Sequence, residues 1–168
     1  LAHALNKSVV VWDEIWNHFG TELDRATTVI NTRFDPTQAP KRPPCVDNAT
    51  HHGYRVVRSQ HTAWYLDQTL HKPWTAQYNF DPCGDLKDPA TSCPYVIGGA
   101  ASMWGETVDG SDLLQTIWPR AGAVGEKLWS SKEATASSEA ALPRYVAFRC
   151  YLDRRGFGAA PSLNAVAR

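Results

Sequence analysis

An α/β fold of parallel strands, the closing third of a (β/α) barrel, is what this sequence predicts, on three observations. Short β-branched runs alternate with helix-like stretches. Three strand-like segments end in an aromatic ring and an acid: Trp12-Asp13-Glu14 after Val9-Val10-Val11, Trp64-Tyr65-Leu66-Asp67, and Met103-Trp104-Gly105-Glu106 after Gly98-Gly99-Ala100-Ala101-Ser102. Chemistry loaded at the carboxyl ends of strands is the grammar of such a barrel. Finally, 168 residues supply three or four strands, whereas a full barrel takes about 250 residues. A self-contained α/β sheet is the alternative, but it would leave Trp-rich surface without a partner.

In chain order, residues 8–12 and 27–31 read as buried strands, being β-branched runs with polar flanks. The stretch 35–47 holds four prolines and two basic residues and reads as loop. A short helix hands over at Gly53-Tyr54 to a third strand, 55–59, and residues 73–94 read as irregular. Residues 95–98 form a fourth strand. Ser111 or Asp112 can then cap a helix through Leu113, Leu114 and Ile117. Pro119 opens another, with apolar positions at Ala123, Val124, Leu128 and Trp129. The clearest helix is 142–155: Leu142, Val146, Arg149/Cys150 and Asp153 follow helical spacing, and Gly156 sits where a C-cap belongs.

Composition narrows the function. Seventeen Lys and Arg balance seventeen Asp and Glu, which suggests neither a nucleic-acid nor a membrane-surface partner. No apolar run approaches a membrane span. The chain begins at Leu1 and shows no secretory leader of its own, so it reads as a piece or a processed chain. Cys83 and Cys93 flank a loop-like stretch with no nearby partners at zinc spacing, so a local disulfide is favoured over free thiols. Asn6-Lys7-Ser8 and Asn48-Ala49-Thr50 are glycosylation sequons. Cysteines and sequons together point to a secretory, lysosomal/vacuolar or extracellular route. The six histidines show no ligand spacing, and neither a metal nor a cofactor is expected.

Aromatics beside acids suit sugars. Pyranose C–H faces pack on rings, and hydroxyls need a few fixed, charge-assisted hydrogen bonds. Any single Trp is more often core. Seven in the chain, with Trp12, Trp16, Trp64 and Trp104 close to these acids, favour a site.

These motifs reach a family. Val10-Val11-Trp12-Asp13-Glu14-Ile15, Trp64-Tyr65-Leu66-Asp67, Met103-Trp104-Gly105-Glu106-Thr107 and Leu114-Gln115-Thr116-Ile117-Trp118-Pro119-Arg120-Ala121 resemble the C-terminal part of glycoside hydrolase family 20 β-N-acetylhexosaminidases, especially plant-type members. Glu126-Lys127-Leu128-Trp129-Ser130 and Phe148-Arg149-Cys150 extend the likeness. The resemblance implies a partial catalytic domain over residues 1–168, about strands 6–8 of a (β/α)8 barrel, with the earlier strands and a smaller α/β domain absent. It also implies release of terminal β-linked N-acetylglucosamine or N-acetylgalactosamine by a retaining, substrate-assisted route, in which the substrate's acetamido oxygen attacks C1.

On that resemblance Trp12 and Trp104 wall the acetamido group, with a third tryptophan expected upstream. Tyr65 donates to the acetamido oxygen, Glu106 accepts from O4 and O6, and Asp67 accepts from O6. Asp13-Glu14 mimics the family's catalytic Asp-Glu pair, but that pair belongs to strand four. A barrel-lining or ion-paired role fits better here, no catalytic acid is assigned, and the chain alone is expected to be inactive. Arg120 is expected to pair with a carboxylate. Two departures stand out: Ala100 occurs where the family usually has Glu, and the family partner of Cys150 is missing. The expected partners are an oligosaccharide or glycoconjugate substrate, the remainder of the barrel and, as a candidate, a second copy in a homodimer. A lectin-like module and an inactive remnant are the rival readings.

Overall fold

The computed structural model describes residues 2–34 and 45–162; most of the proline-bearing stretch, residues 35–44, lies outside them. Along the chain the elements are β1 (Val9–Trp12), α1 (Asp13–Phe19), β2 (Thr28–Thr32), α2 (Cys45–His51), β3 (Arg55–Arg58), α3 (His61–Trp64), α4 (Trp74–Asn79), α5 (Pro89–Ser92), β4 (Val96–Gly99), α6 (Leu113–Ile117), α7 (Arg120–Trp129) and α8 (Ser138–Arg154). All four expected strands are present, with ends displaced by a single residue. The chain divides into two compact units, Leu1–His61 with Asp81–Ala100, and Thr62–Phe80 with Ala101–Arg168.

The first unit is a four-stranded sheet in the order β1-β2-β3-β4, every neighbour parallel. Trp12 lies opposite Asn31, Thr32 opposite Arg58, and Arg58 opposite Gly99, so the strands finish along one edge. One face packs on helices: Ile30 and Val56 join Trp16 of α1, Cys45, Val46 and Ala49 of α2, Tyr54 and Leu86, with Val11 and Val96 against them. Cys45 and Val46 are therefore the first turn of a helix rather than loop, because their side chains with Ala49 form an apolar face for the sheet. On the opposite face Val10 is 64% exposed and Ile97 54%. Parallel sheets are ordinarily covered on both faces.

Two cross-links shape this unit. The Tyr54 hydroxyl donates to the Leu23 carbonyl at 2.5 Å and holds the turn after α1. Arg58, at the end of β3, is buried. It donates to both Asp85 carboxylate oxygens at 2.8 and 2.9 Å, to Pro82 O at 2.9 Å and to Gln60 Oε1 at 3.0 Å. Asp85 belongs to the loop closed by the Cys83–Cys93 disulfide. A bidentate pair of this kind fixes direction as well as distance.

The second unit is helical. Trp74 stacks on Tyr145 with ring centroids 4.1 Å apart, and Tyr78, Ala123 and Ala141 complete that cluster. The segment 73–94 is thus not irregular throughout. Trp74, Gln77 and Tyr78 share one buried face of α4. Helix α8 starts four residues before the expected position, because the Ser137 side chain accepts from the Ala140 N–H at 3.2 Å. Its buried face is Ser138, Ala141, Tyr145 and Leu152 rather than the Leu142–Val146 stripe, since Tyr145 is the ring that meets Trp74. Gly156, at φ +81°, ends it as expected, with Gly156 N–H on Asp153 O and Phe157 N–H on Leu152 O. Asp112 stands at the start of α6, but its carboxylate accepts from Asp109 N–H and leaves the helix N-terminus uncapped by side chain. A Cβ on Gly122 would lie 2.3 Å from the Phe148 ring, so α7 and α8 approach where only glycine fits. Trp129, expected on the apolar face of α7, is 91% exposed.

Replacing Cys83 and Cys93 with Ser should free the loop that carries Asp85. The cross-linked segment is short, so the expected stability loss is about 2–3 kcal/mol or less. Limited proteolysis should cut between residues 83 and 93 in the variant and spare the disulfide-bonded protein.

Candidate functional site

In the second unit the chain brings two of the aromatic-acid motifs together. A parallel bridge joins Tyr65 to Ser102. Ser102 N–H donates to Trp64 O at 2.9 Å, and Leu66 N–H donates to Ser102 O at 2.8 Å. The Tyr65 and Trp104 rings consequently lie 6.3 Å apart, tilted by 36°. Tyr65 is buried with its hydroxyl, while Trp104 is 42% exposed. That asymmetry suits a ring offered to a ligand beside a hydroxyl held inside. Glu106 is exposed, with no hydrogen bond to the described residues.

Asp67 is 5% exposed. Its Oδ2 accepts from Gln68 Nε2 at 2.7 Å, and its buried Oδ1 has no hydrogen-bond partner among the described residues. A buried carboxylate oxygen without a donor costs free energy unless something supplies one. The turn carrying it is closed by other groups: Thr69 N–H and hydroxyl both donate to Tyr65 O, at 3.0 and 2.8 Å.

Arg120 holds that turn from beneath. Nη2 donates to Leu66 O at 2.7 Å and to Thr116 O at 2.6 Å, and Nη1 donates to Thr69 O at 3.0 Å. Among the described residues these hydrogen bonds go to carbonyl oxygens, not to the expected carboxylate, with the Asp67 carboxylate acting on Arg120 only through charge. Burial draws this guanidinium's pKa down, opposed by Tyr145 and Asp67. Arginine remains charged nonetheless.

In the first unit the third motif sits where β1 passes into α1. Trp12 is the last strand residue, and Asp13 and Glu14 open the helix. Arg33, just past β2, donates from Nη2 to Glu14 Oε1 and stands 3.8 Å from Asp13 Oδ1 through Nε. Asp13 Oδ2 accepts the Phe34 N–H at 3.3 Å. Burial, and then the neighbouring Glu14, push the Asp13 carboxyl up to about 6. Burial works to raise Glu14 as well, but its own backbone N–H, Asp13 and Arg33 outweigh that and hold it low. Asp13-Glu14 is therefore an ion-paired cluster. Arg33 escaped the sequence reading, its one visible signal being a basic residue directly beyond a β-branched run.

Trp16 and Trp64, counted with the acids in the sequence, are core. Trp16 packs edge-on to Tyr54 at 4.7 Å, and Trp64 is fully buried with its indole N–H on Gln77 O. Ala100 follows β4 and donates its N–H to Arg58 O at 2.9 Å. Cys45 is buried and Cys150 exposed, both as thiols. Among the described residues no three His, Cys, Asp or Glu gather as a metal would need, and no helix is long and apolar enough to cross a membrane.

The chain that carries this arrangement has relatives. A family profile, glycosyl hydrolase family 20, catalytic domain, matches residues 1–132. The chain belongs to that family. Beta-hexosaminidase 1 of Arabidopsis thaliana is 40% identical over 171 residues, covering 100% of this chain and 30% of that protein. Beta-hexosaminidase subunit alpha of Rattus norvegicus is 37% identical over 159 residues, covering 93% and 28%. A mutant Streptomyces plicatus beta-hexosaminidase, solved in complex with product GlcNAc, superposes with a TM-score of 0.76 at 23% identity over 99% of this chain and 34% of that one. The chain thus spans under a third of the length of the curated relatives it matches.

Arg120→Met should strip donors from three buried carbonyls, at about 1–3 kcal/mol each. Urea unfolding of the complete protein should show a loss of at least about 3 kcal/mol. Arg120→Lys should recover little of it, because a point charge cannot reach all three acceptors.

Proposed function

We propose that the complete protein hydrolyses terminal non-reducing β-linked N-acetylglucosamine or N-acetylgalactosamine, and that this chain supplies residues which hold the sugar. The observation that carries the reading is the Tyr65–Trp104 pair beside Asp67, two motifs some forty residues apart in sequence meeting at one bridge. Family membership supports it, as does the product GlcNAc bound by the related Streptomyces plicatus enzyme.

The mechanism follows from substrate-assisted chemistry. An internal acetamido nucleophile gains effective molarity only if it is held beneath C1. Trp104 offers a ring face for the acetamido group, and Trp12, in the other unit, is assigned a sugar-binding part of its own on the family resemblance. The Tyr65 hydroxyl donates to the acetamido oxygen, whose charge changes as it attacks, so that bond acts on the transition state more than on the ground state. Glu106 accepts from O4 and O6. Asp67 Oδ1, without a donor among the described residues, is suited to accept the O6 hydroxyl. The general acid is assigned to an Asp-Glu pair outside this chain. The rest of the barrel is the partner that the exposed Val10 and Ile97 face calls for. The disulfide and the exposed sequon residues Asn6 and Asn48 support a glycoprotein on the secretory route.

In the complete protein Tyr65→Phe should lower kcat about 10- to 100-fold with a smaller effect on ground-state binding, through loss of one bond worth about 1.5–3 kcal/mol. Trp104→Ala should damage both parameters. Unchanged steady-state kinetics on a chromogenic N-acetylglucosaminide for both variants would return these aromatics to the core and favour a binding module or remnant.

Asp67 should also set the preference for neutral sugars. A carboxylate facing O6 accepts a hydroxyl but repels a 6-sulfate. Asp67→Asn should raise the ratio of kcat/KM on the 6-sulfated to the neutral substrate. An unmoved ratio would leave Asp67 with a structural part only.

A further inference from the structure

The parallel register sets Trp12 opposite Asn31, and side chains alternate along a strand, so Arg33 falls on the same side two residues further on. The Arg33 guanidinium carbon lies 5.5 Å from the Trp12 ring centroid and 4.7 Å from that of Phe34. Its edge is meanwhile held by Glu14 Oε1 and faces Asp13 Oδ1. Asp13 is anchored in turn, being 1% exposed and bonded to the Phe34 N–H. Trp12 is the last residue of its strand and passes directly into α1. A planar cation bonded at its edge to Glu14, with Asp13 facing it, can orient such a ring, since the guanidinium is attracted to the indole face.

We propose that Arg33 is a positioning residue for Trp12: bonded to Glu14 and facing Asp13, it lies over the indole and sets the orientation in which that ring meets the sugar. This rests on the reading of Trp12 as a sugar-binding residue. It gives the Asp13-Glu14 pair a task distinct from proton transfer: the two carboxylates act on Arg33, and Arg33 acts on Trp12. Lysine would keep the charge but lose the plane, so the same sequence position should not accept it at full activity.

A double-mutant cycle in the complete protein tests this, with kcat and KM measured on a chromogenic N-acetylglucosaminide. Trp12→Ala should lower kcat/KM; if it does not, the sugar-binding reading of Trp12 fails and the proposal falls with it. Arg33→Met should lower kcat/KM about 2- to 30-fold, the range a cation–π contact spans, mostly through KM. Arg33→Lys should recover part of that loss. In the Trp12→Ala background the same Arg33→Met change should cost almost nothing. Fully additive losses, or an Arg33→Met enzyme equal to wild type, would overturn the proposal. Should Arg33→Met fail to fold, Glu14→Gln weakens the partly exposed Arg33–Glu14 bond and must show the same non-additivity with Trp12→Ala.

Discussion

Parallel pairing in chain order is the constraint on which the first unit depends. Each strand must finish along the same edge of the sheet, so whatever follows a strand in sequence arrives there. Trp12 ends β1, Arg33 follows β2, Arg58 ends β3 and Ala100 follows β4. The second unit repeats the device on a smaller scale, where one parallel bridge at Tyr65 and Ser102 joins a tyrosine to a tryptophan.

Three guanidinium groups do much of the positioning, each by a different route. Arg58 meets a carboxylate face to face and ties a strand end to the disulfide loop. Arg120 meets carbonyl oxygens and holds the turn that bears Asp67. Arg33 meets two carboxylates at its edge and a ring on its face. A planar group with five donors can satisfy several acceptors at once, which suits it to buried junctions between segments distant in sequence. Breaking such a junction is costly because the remaining buried groups lose their partners.

The acids at the strand ends divide by environment. Glu14 is paired with Arg33, and burial together with Glu14 pushes the Asp13 carboxyl up to about 6. Asp67 keeps one buried oxygen without a donor among the described residues, and Glu106 is exposed. Three motifs that look alike as sequence therefore separate into an ion-paired cluster and two acids that pair with no cation among the described residues.

The sequence by itself determined the four strands, their α/β alternation and the family, because β-branched runs, turn residues and ordered motifs are local signals. Gly156 belongs with these, since only the backbone conformation after α8 had to be read. Tertiary structure decided which tryptophans are core. Trp16, Trp64 and Trp104 all stand near acids, yet two are enclosed by Tyr54 and by Phe80 while the third is half exposed. It also decided the buried face of α8, the existence of α4, and the partners of Arg33, Arg58 and Arg120. Periodicity shows that a face is apolar but not what covers it, and the partners of these arginines include groups 19, 27 and 54 residues away along the chain. Those choices are made when segments pack, where the cost of an unpaired buried charge selects the partner.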